Sequence, residues 1–197
     1  MGVLLFSGHM IDAKSRPSPR FPPDKEDVAR AAIGGALDQL GIGATELGIA
    51  GAACGGDILF AEAMLARGAR LDLHLPMDET AFLAESVTFE KPATAAGDHW
   101  AERFVAVTRH DGVRVLVMPD VLGPTPAGEN PHARCNLWML DDAFAVGEST
   151  VRLVCLWDGG GGDGPGGTRH MLDEVRRRGG EVVVLDTKKL WSVAGTA

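Results

Sequence analysis

The sequence predicts an α/β fold in three layers, with a mainly parallel sheet flanked by helices. Short apolar runs rich in Val, Leu and Ile alternate with longer segments of helical periodicity, which is typical of buried parallel strands joined by helices. The length of 197 residues and the 45% share of hydrophobic residues suit one sizeable core. We therefore expect residues 1–197 to form a single domain.

The apolar runs give the predicted strands, and the periodic segments between them give the predicted helices. The predicted strands are 3–6, 47–50, 70–75, 113–118, 151–157 and 181–185. The predicted helices are 25–40, 55–67, 79–85, 99–108, 131–146 and 168–178. Asp24 is the predicted N-cap of the first helix, and Asn130 is the predicted N-cap of the helix that begins with Pro131.

Composition and charge exclude several classes of protein. The net charge of −8 gives no overall support for binding nucleic acid or an anionic membrane. The N-terminal segment lacks the basic start of a signal peptide, and no apolar run approaches the length of a membrane span. Cys54, Cys135 and Cys155 are widely spaced, which favours free thiols over a disulfide framework or a zinc site. We expect a cytoplasmic protein without a metal.

Three loops that follow predicted strands carry the main functional signal. They are residues 7–9 (SGH), 51–57 (GAACGGD) and 158–168, in which residues 159–167 include seven glycines. Because parallel strands end at the same edge of a sheet, these loops are expected to converge there. Glycines let backbone amides approach an anion, and the helix that follows adds the partial positive charge of its N-terminus. The alternative is that the glycines serve only tight turns and close packing.

The glycine loops match neither the Walker A pattern nor the dinucleotide fingerprint, which disfavours an ordinary kinase or dehydrogenase. A phosphorylated small molecule remains the expected ligand. The predicted ligand-binding residues are Ser7, Gly8, His9, Gly51, Ala52, Cys54, Gly55, Gly56, Asp57, Asp158, Gly164, Gly166, Gly167 and Thr168.

Two carboxylates, Asp57 and Glu62, are the candidate catalytic residues. Asp57 lies in the first turn of its predicted helix, where it either complements the helix dipole or orients a ligand. Glu62 lies among apolar residues, so it needs either an arginine partner, such as Arg103 or Arg134, or a ligand. Facing a ligand, Glu62 would bind a ribose hydroxyl or act as a general acid or base.

Three further side chains have two interpretations each. Cys54 precedes a helix N-terminus, which lowers a thiol pKa, so that a nucleophilic pair with His9 is one interpretation and a buried apolar filler is the other. Arg16 and Arg20 lie in the long loop after the first strand, where they either clamp an anion or remain solvated.

Three segments, SGHMID, GAACGGDILFAEAMLARG and DGPGGTRHM, together resemble the SLOG superfamily of Rossmann-like proteins. They are particularly similar to the SLOG-type domains associated with bacterial nucleotide cyclase or tetratricopeptide repeat proteins. The resemblance covers residues 3–186. It implies a nucleotide or nucleotide-derived ligand, such as a nucleoside monophosphate or an ADP-ribose-like molecule, bound at Gly8, residues 51–57 and residues 164–168.

The sequence differs from the patterns of two SLOG branches, and these differences affect which function we expect. The LOG phosphoribohydrolases of this superfamily carry PGGxGTxxE, whereas this chain has PGGT at residues 165–168 and Met171 where the catalytic glutamate stands. The DNA-processing A proteins bind single-stranded DNA, which the acidic balance here disfavours. We expect a nucleotide-binding sensor or accessory domain, with homo-oligomers a common state for such proteins. The alternatives are a nucleotide N-glycosidase that uses Glu62 or Asp57, and an interaction module without a small ligand.

Overall fold

In the computed structural model, which describes residues 2–13, 16–88, 98–146, 151–160 and 167–193, six strands form one sheet of parallel neighbours. The strands are β1 (Val3–Gly8), β2 (Leu47–Ala50), β3 (Arg70–Leu75), β4 (Val113–Val117), β5 (Val151–Trp157) and β6 (Glu181–Asp186). The helices are α1 (Glu26–Gln39), α2 (Gly56–Leu65), α3 (Glu79–Phe82), α4 (Asp98–Thr108), α5 (Met118–Leu122), α6 (Pro131–Val146), α7 (Thr168–Arg177) and α8 (Thr187–Val193). A 3-10 turn at Pro23–Lys25 and a π-helical turn at Leu83–Val87 complete the described elements.

The strand order is β4-β3-β2-β1-β5-β6. The chain moves outward from β1 to β4, and then returns across the sheet so that β5 pairs with the free side of β1. This pairing extends along the whole of β1, from Val3 opposite Val151 to Gly8 opposite Leu156. The winding direction therefore reverses between β1 and β5, and ligands of open parallel sheets bind outside the carboxyl ends of the strands at such a switch point.

Alternate residues of β1 face the two helical layers of the protein. Leu4 and Phe6 pack into a core with α1 and α2, whereas Val3 and Leu5 pack into a second core with α6 and α7. All four side chains are fully buried, as expected for a central strand of a parallel sheet. Their burial stabilises the fold by roughly 2 kcal/mol for each side chain. The three-layer α/β class predicted from the sequence is confirmed.

The helix boundaries follow the predictions with four differences, of which the first is α5, a helix that was not predicted and that begins at Met118, where a strand was expected to end. α6 has the predicted bounds, and Asn130 caps it by accepting a hydrogen bond from the amide of Ala133 at 3.1 Å. Asp24 was wrongly predicted as a cap, because the chain enters α1 through the 3-10 turn and no side chain caps that helix. α8 and the π-helical turn were not predicted. No helix in the described ranges combines the length and the apolar character that a membrane span requires.

Candidate functional site

A cavity of about 400 Å³ opens at the carboxyl ends of the strands and includes the switch point between β1 and β5. We call it the switch cavity. The end of β1 and its following loop, the β2–α2 loop and the N-terminal parts of α6 and α7 contribute to its lining. Apolar side chains on its wall include Phe6, Phe82, Met139 and Trp157. The location and the mixed lining are those of a small-molecule site.

The three predicted loops meet at this cavity. The Ser7 and Thr168 hydroxyl oxygens are 2.9 Å apart, which joins the end of β1 to the start of α7. The amide of Asp158, after β5, donates to Nε2 of His9 at 3.1 Å. The amide of Gly56, at the start of α2, donates to the carbonyl of His9 at 3.0 Å. The loops that the sequence analysis grouped are therefore direct neighbours.

His9 lines the cavity and has a lowered pKa. Its Nε2 accepts a hydrogen bond from the amide of Asp158 at 3.1 Å and lies 3.3 Å from Oδ1 of the Asp158 carboxylate. Burial is the main cause that lowers the pKa of His9, and the positive charge of Arg20 lowers it further, while Asp158 has the opposite effect. Arg20 can affect the pKa of His9 because both residues line the same cavity.

Asp57 is the carboxylate that lines the switch cavity on the side of β2 and α2. Its Oδ2 lies where a side chain at position 51 would begin, since a Cβ on Gly51 would come within 2.6 Å of it. The amide of Ala53 donates to the same oxygen over a long 3.3 Å. Burial raises the pKa of Asp57 to about 7, against the opposite effect of the hydrogen bond from the Ala53 amide. Asp57 can therefore exchange a proton near neutral pH.

The rest of the GAACGGD segment differs from the predicted phosphate cradle. The amide of Cys54 donates to the carbonyl of Ser86, and the amide of Gly56 donates to that of His9, both at 3.0 Å. These two amides are engaged within the protein, which corrects the prediction that they hold a phosphate. Gly55 has a φ of +102° and packs against the backbone of Ile11. A glycine is needed here because it lets the two backbone segments come close together.

Cys54 is 2% exposed, and burial raises the pKa of its thiol to about 12. This corrects the expectation that a helix N-terminus activates it for a pair with His9, because desolvation disfavours the thiolate. Ala52 is also buried, at 1% exposure. Neither residue contributes to the lining of the cavity, nor does Asp158. Gly164 and Gly166, two further predicted ligand-binding residues, lie outside the described residues.

Glu62 faces arginines and not the cavity. Arg103 donates to both of its carboxylate oxygens at 2.6 Å, and Arg30 donates to Oε2 at 2.9 Å. Glu26 accepts from the same two arginines, so that α1, α2 and α4 are tied together by one ion-pair network. Of the two interpretations of Glu62, the structure gives the arginine partner, and it does not bring Glu62 to Asp57. Arg134 instead donates to the carbonyls of Leu122, Gly123 and Pro124.

We expect Glu62→Gln to lower the free energy of unfolding by about 1–2 kcal/mol at pH 7, because it weakens charge-assisted hydrogen bonds to two arginines. Hydrogen bonds from Arg103 and Arg30 lower the pKa of Glu62 against the effect of burial. The contribution of the Glu62 carboxylate to the free energy of unfolding is therefore complete above about pH 4.3, the pKa of glutamate in the unfolded chain. It is lost as the pH falls through the lower pKa of Glu62 in the folded protein. Urea unfolding at pH 7 and pH 3 measures both quantities.

Glu79→Gln is the matched control, since Glu79 forms a two-point pair with Arg109 on the surface. That exposed pair is expected to contribute about 0–1 kcal/mol. Equal losses in the two variants at pH 7 would contradict a special structural role for the Glu62 network.

Several lining residues were not predicted as a site. They include His74 near the end of β3, Ser86 in the π-helical turn and Cys135 in the first turns of α6. These residues could have been found from the sequence only by their positions, near the carboxyl end of a predicted strand or within or next to a predicted helical segment. Asn136, which was expected to face the crevice, also lines the cavity. Arg16 and Arg20 also line the cavity, a position that clamping an anion would require, and Nε of Arg16 lies 3.3 Å from Oδ1 of Asp12. No group of three or more His, Cys, Asp or Glu residues suited to a metal occurs in the described ranges.

Comparison with known proteins finds similar solved structures. One of them, the X-ray structure of TM1055, a structural genomics target, is similar to the whole of this chain over the whole of its own, with 14% identical residues and a TM-score of 0.39. A TM-score this low carries no argument about the site. No protein-family model matches the sequence, and no curated protein matches it. The assignment of the fold therefore rests on strand order and pairing.

Proposed function

We propose that the switch cavity binds a nucleotide or a nucleotide-derived molecule, as a sensor or accessory site. The observation that carries the proposal is the composition of the cavity at the β1–β5 switch point, where anion-binding groups, a carboxylate and apolar side chains line one space. A nucleotide offers a partner to each: a phosphate, sugar hydroxyls and a planar base. The resemblance of three segments to SLOG proteins favours the same class of ligand.

The phosphate would bind at a group of lining residues that we call the anion pole, namely Ser7, His9, Arg20, Gly167 and Thr168. Gly167 and Thr168 begin α7, whose N-terminal amides and dipole favour an anion. Ser7 and Thr168 share a hydrogen bond, which leaves one hydroxyl proton to donate to a ligand, and His9 adds an imidazole ring to the same wall of the cavity. The nearby Asp158 carboxylate is engaged by the amide of Gly160 at 2.9 Å, which reduces its repulsion of a phosphate.

The nucleoside would occupy the remainder of the cavity. Asp57 can accept hydrogen bonds from sugar hydroxyls, in the manner of acidic residues that hold ribose in nucleotide-binding α/β folds. Phe82, Met139 and Trp157 offer apolar surface to a base. The cavity volume of about 400 Å³ lies at the small end of ligand pockets, which favours one nucleoside unit over a dinucleotide.

The proposal predicts that AMP and ADP-ribose bind to the purified protein and raise its melting temperature. Thr168→Val keeps the side-chain shape and removes one hydroxyl of the anion pole, so we expect it to weaken AMP binding about tenfold. Isothermal titration calorimetry measures this change. Thr45→Val is the control, because Thr45 is exposed and its hydroxyl donates to Glu46 away from the cavity.

Absence of a thermal shift with AMP, NAD and ADP-ribose would contradict the proposal and favour an interaction module without a small ligand. A loss of AMP affinity in Thr168→Val that is no larger than the loss in Thr45→Val would contradict phosphate binding at the anion pole. Both outcomes are read from the same set of titrations.

A second candidate is hydrolysis of the N-glycosidic bond of a nucleotide, which the raised pKa of Asp57 favours. In this reaction water adds to the anomeric carbon as the bond to the base breaks, the departing base takes up a proton that Asp57 can supply, and the attacking water loses a proton that restores the protonated Asp57. Glu62 has no part in it, since arginines hold both of its oxygens. Chromatographic detection of free base after incubation with AMP distinguishes hydrolysis from binding alone.

A further inference from the structure

The loop that carries Arg20 is fastened to the body of the protein by a compact set of contacts. Oδ2 of Asp12 accepts the amides of Arg20 and Phe21, each at 2.7 Å. The amide of Asp12 donates to the carbonyl of Phe21 at 2.9 Å. Phe21 is fully buried. The backbone around Arg20 therefore has a defined position relative to β1.

The C-terminal helix α8 supplies a further contact to this loop through Trp191. The indole Nε1 donates a hydrogen bond to the carbonyl of Arg20 at 3.0 Å. The indole ring also stacks on Phe21, with ring centroids 5.5 Å apart and 23° between the ring planes. Since α8 packs against α1 and β6, it links the loop to an element far from β1 in the sequence.

We propose that Trp191 is a positioning residue of the switch cavity, which holds the Arg20 backbone so that the guanidinium meets the phosphate of the ligand. This inference rests on the proposed function. Arg20 lines the cavity and lies close enough to His9 for its charge to act on that ring. A displacement of the Arg20 carbonyl would move its side chain relative to His9 and Ser7. Ligand occupancy would in turn be transmitted to α8, through the same hydrogen bond.

Trp191→Phe tests this role, since it keeps an aromatic ring against Phe21 and removes the indole donor. We expect the dissociation constant for AMP to rise about fivefold, the effect of one hydrogen bond. Trp100→Phe is the matched control, because Trp100 is buried on α4 beside Arg103 and does not line the cavity. Calorimetric titration with AMP and thermal melting are measured on all variants.

A double-mutant cycle separates positioning from general stability. In an Arg20→Met background, Trp191→Phe should leave AMP affinity unchanged, because Trp191 acts on the ligand through Arg20. Its effect on the melting temperature should be similar in both backgrounds. An indole N–H resonance that shifts on addition of AMP, and is absent from Trp191→Phe, would supply a spectroscopic signature of the coupling.

The outcomes distinguish this inference from the proposed function. Failure of the wild-type protein to bind AMP, NAD or ADP-ribose overturns both. Wild-type binding of AMP that is unchanged in Trp191→Phe overturns the positioning role alone, as does an equal loss of AMP affinity in the Arg20→Met background. A loss confined to the background that retains Arg20 supports it.

Discussion

Gly55→Ala is expected to lower the free energy of unfolding by about 3–5 kcal/mol. Gly55 adopts φ +102° and ψ −125°, a conformation that residues with a Cβ rarely adopt. The added Cβ would lie 2.6 Å from the backbone nitrogen of Ile11 and 3.0 Å from the carbonyl oxygen of His9. Because these are backbone atoms of the loop after β1, which backbone hydrogen bonds hold against residues 54–56, they cannot move aside as a flexible side chain would. Urea unfolding measures the loss.

Gly123→Ala separates the two causes of the expected loss at Gly55, which are the unfavourable backbone conformation and the clash of the added Cβ. Gly123 has a φ of +74° and a ψ of 173°, so it carries comparable backbone strain, yet nothing lies within 4 Å of its added Cβ. We expect a loss of about 1–2 kcal/mol there. A similar loss in both variants would mean that the contact between the GAACGGD segment and the β1 loop contributes little.

Gly55→Ala should also weaken AMP binding. The same Cβ pushes on Met10 and Ile11, which line the switch cavity directly after His9. Any shift of these residues would disturb the hydrogen bond from the Ile11 amide to the Cys54 carbonyl, now 3.1 Å long. The GAACGGD segment therefore supports the cavity through packing, although two of its amides are unavailable to a phosphate.

Asp57→Asn is expected to stabilise the protein by about 2 kcal/mol at pH 8 while weakening AMP binding about tenfold. Burial raises the folded-state pKa of Asp57 to about 7, whereas an unfolded aspartate titrates near 4. Between these values the folded state holds more protons than the unfolded state, so Asp57 destabilises the fold increasingly as the pH rises from about 4 to 7. Asparagine carries no charge and removes that cost.

The pH dependence is the decisive measurement for Asp57. The difference in unfolding free energy between wild type and Asp57→Asn should be large at pH 8 and should vanish below about pH 4, where the aspartate is neutral in both the folded and the unfolded state. Asp24→Asn is the control, since Asp24 is exposed and pairs with Lys25 at the surface. A variant that is less stable than wild type at both pH values would show that the carboxylate of Asp57 serves the fold and not a ligand.

Local sequence pattern predicted most of the fold. β2, β3, β5 and α6 have the bounds expected from their apolar runs and flanking Gly, Pro and Asn residues. α8 was missed because its short sequence, TKKLWSV, shows no helical apolar stripe. Tertiary packing of Leu190 and Trp191 stabilises that helix instead. The 3-10 turn before α1 was missed because Asp24 also suits a helix cap.

The candidate site could be predicted only in part, since pairing across the sheet is not a local property. The loops after β1, β2 and β5 could be grouped from strand periodicity alone, but strand order was needed to identify the switch point. The partners of Glu62 lie 32 and 41 residues away, on α1 and α4. Likewise, the use of the Cys54 and Gly56 amides depends on the carbonyls of Ser86 and His9.

The hydroxyl contact between Ser7 and Thr168 joins residues 161 positions apart. At ribosomal elongation rates of about 5–20 residues per second, β1 is synthesised roughly 10–30 s before α7. During that interval the edge of β1 that later pairs with β5 has no partner, and an unpaired apolar edge is a template for aggregation. Assembly of the switch cavity is consequently a late event of biosynthesis, because it requires α7.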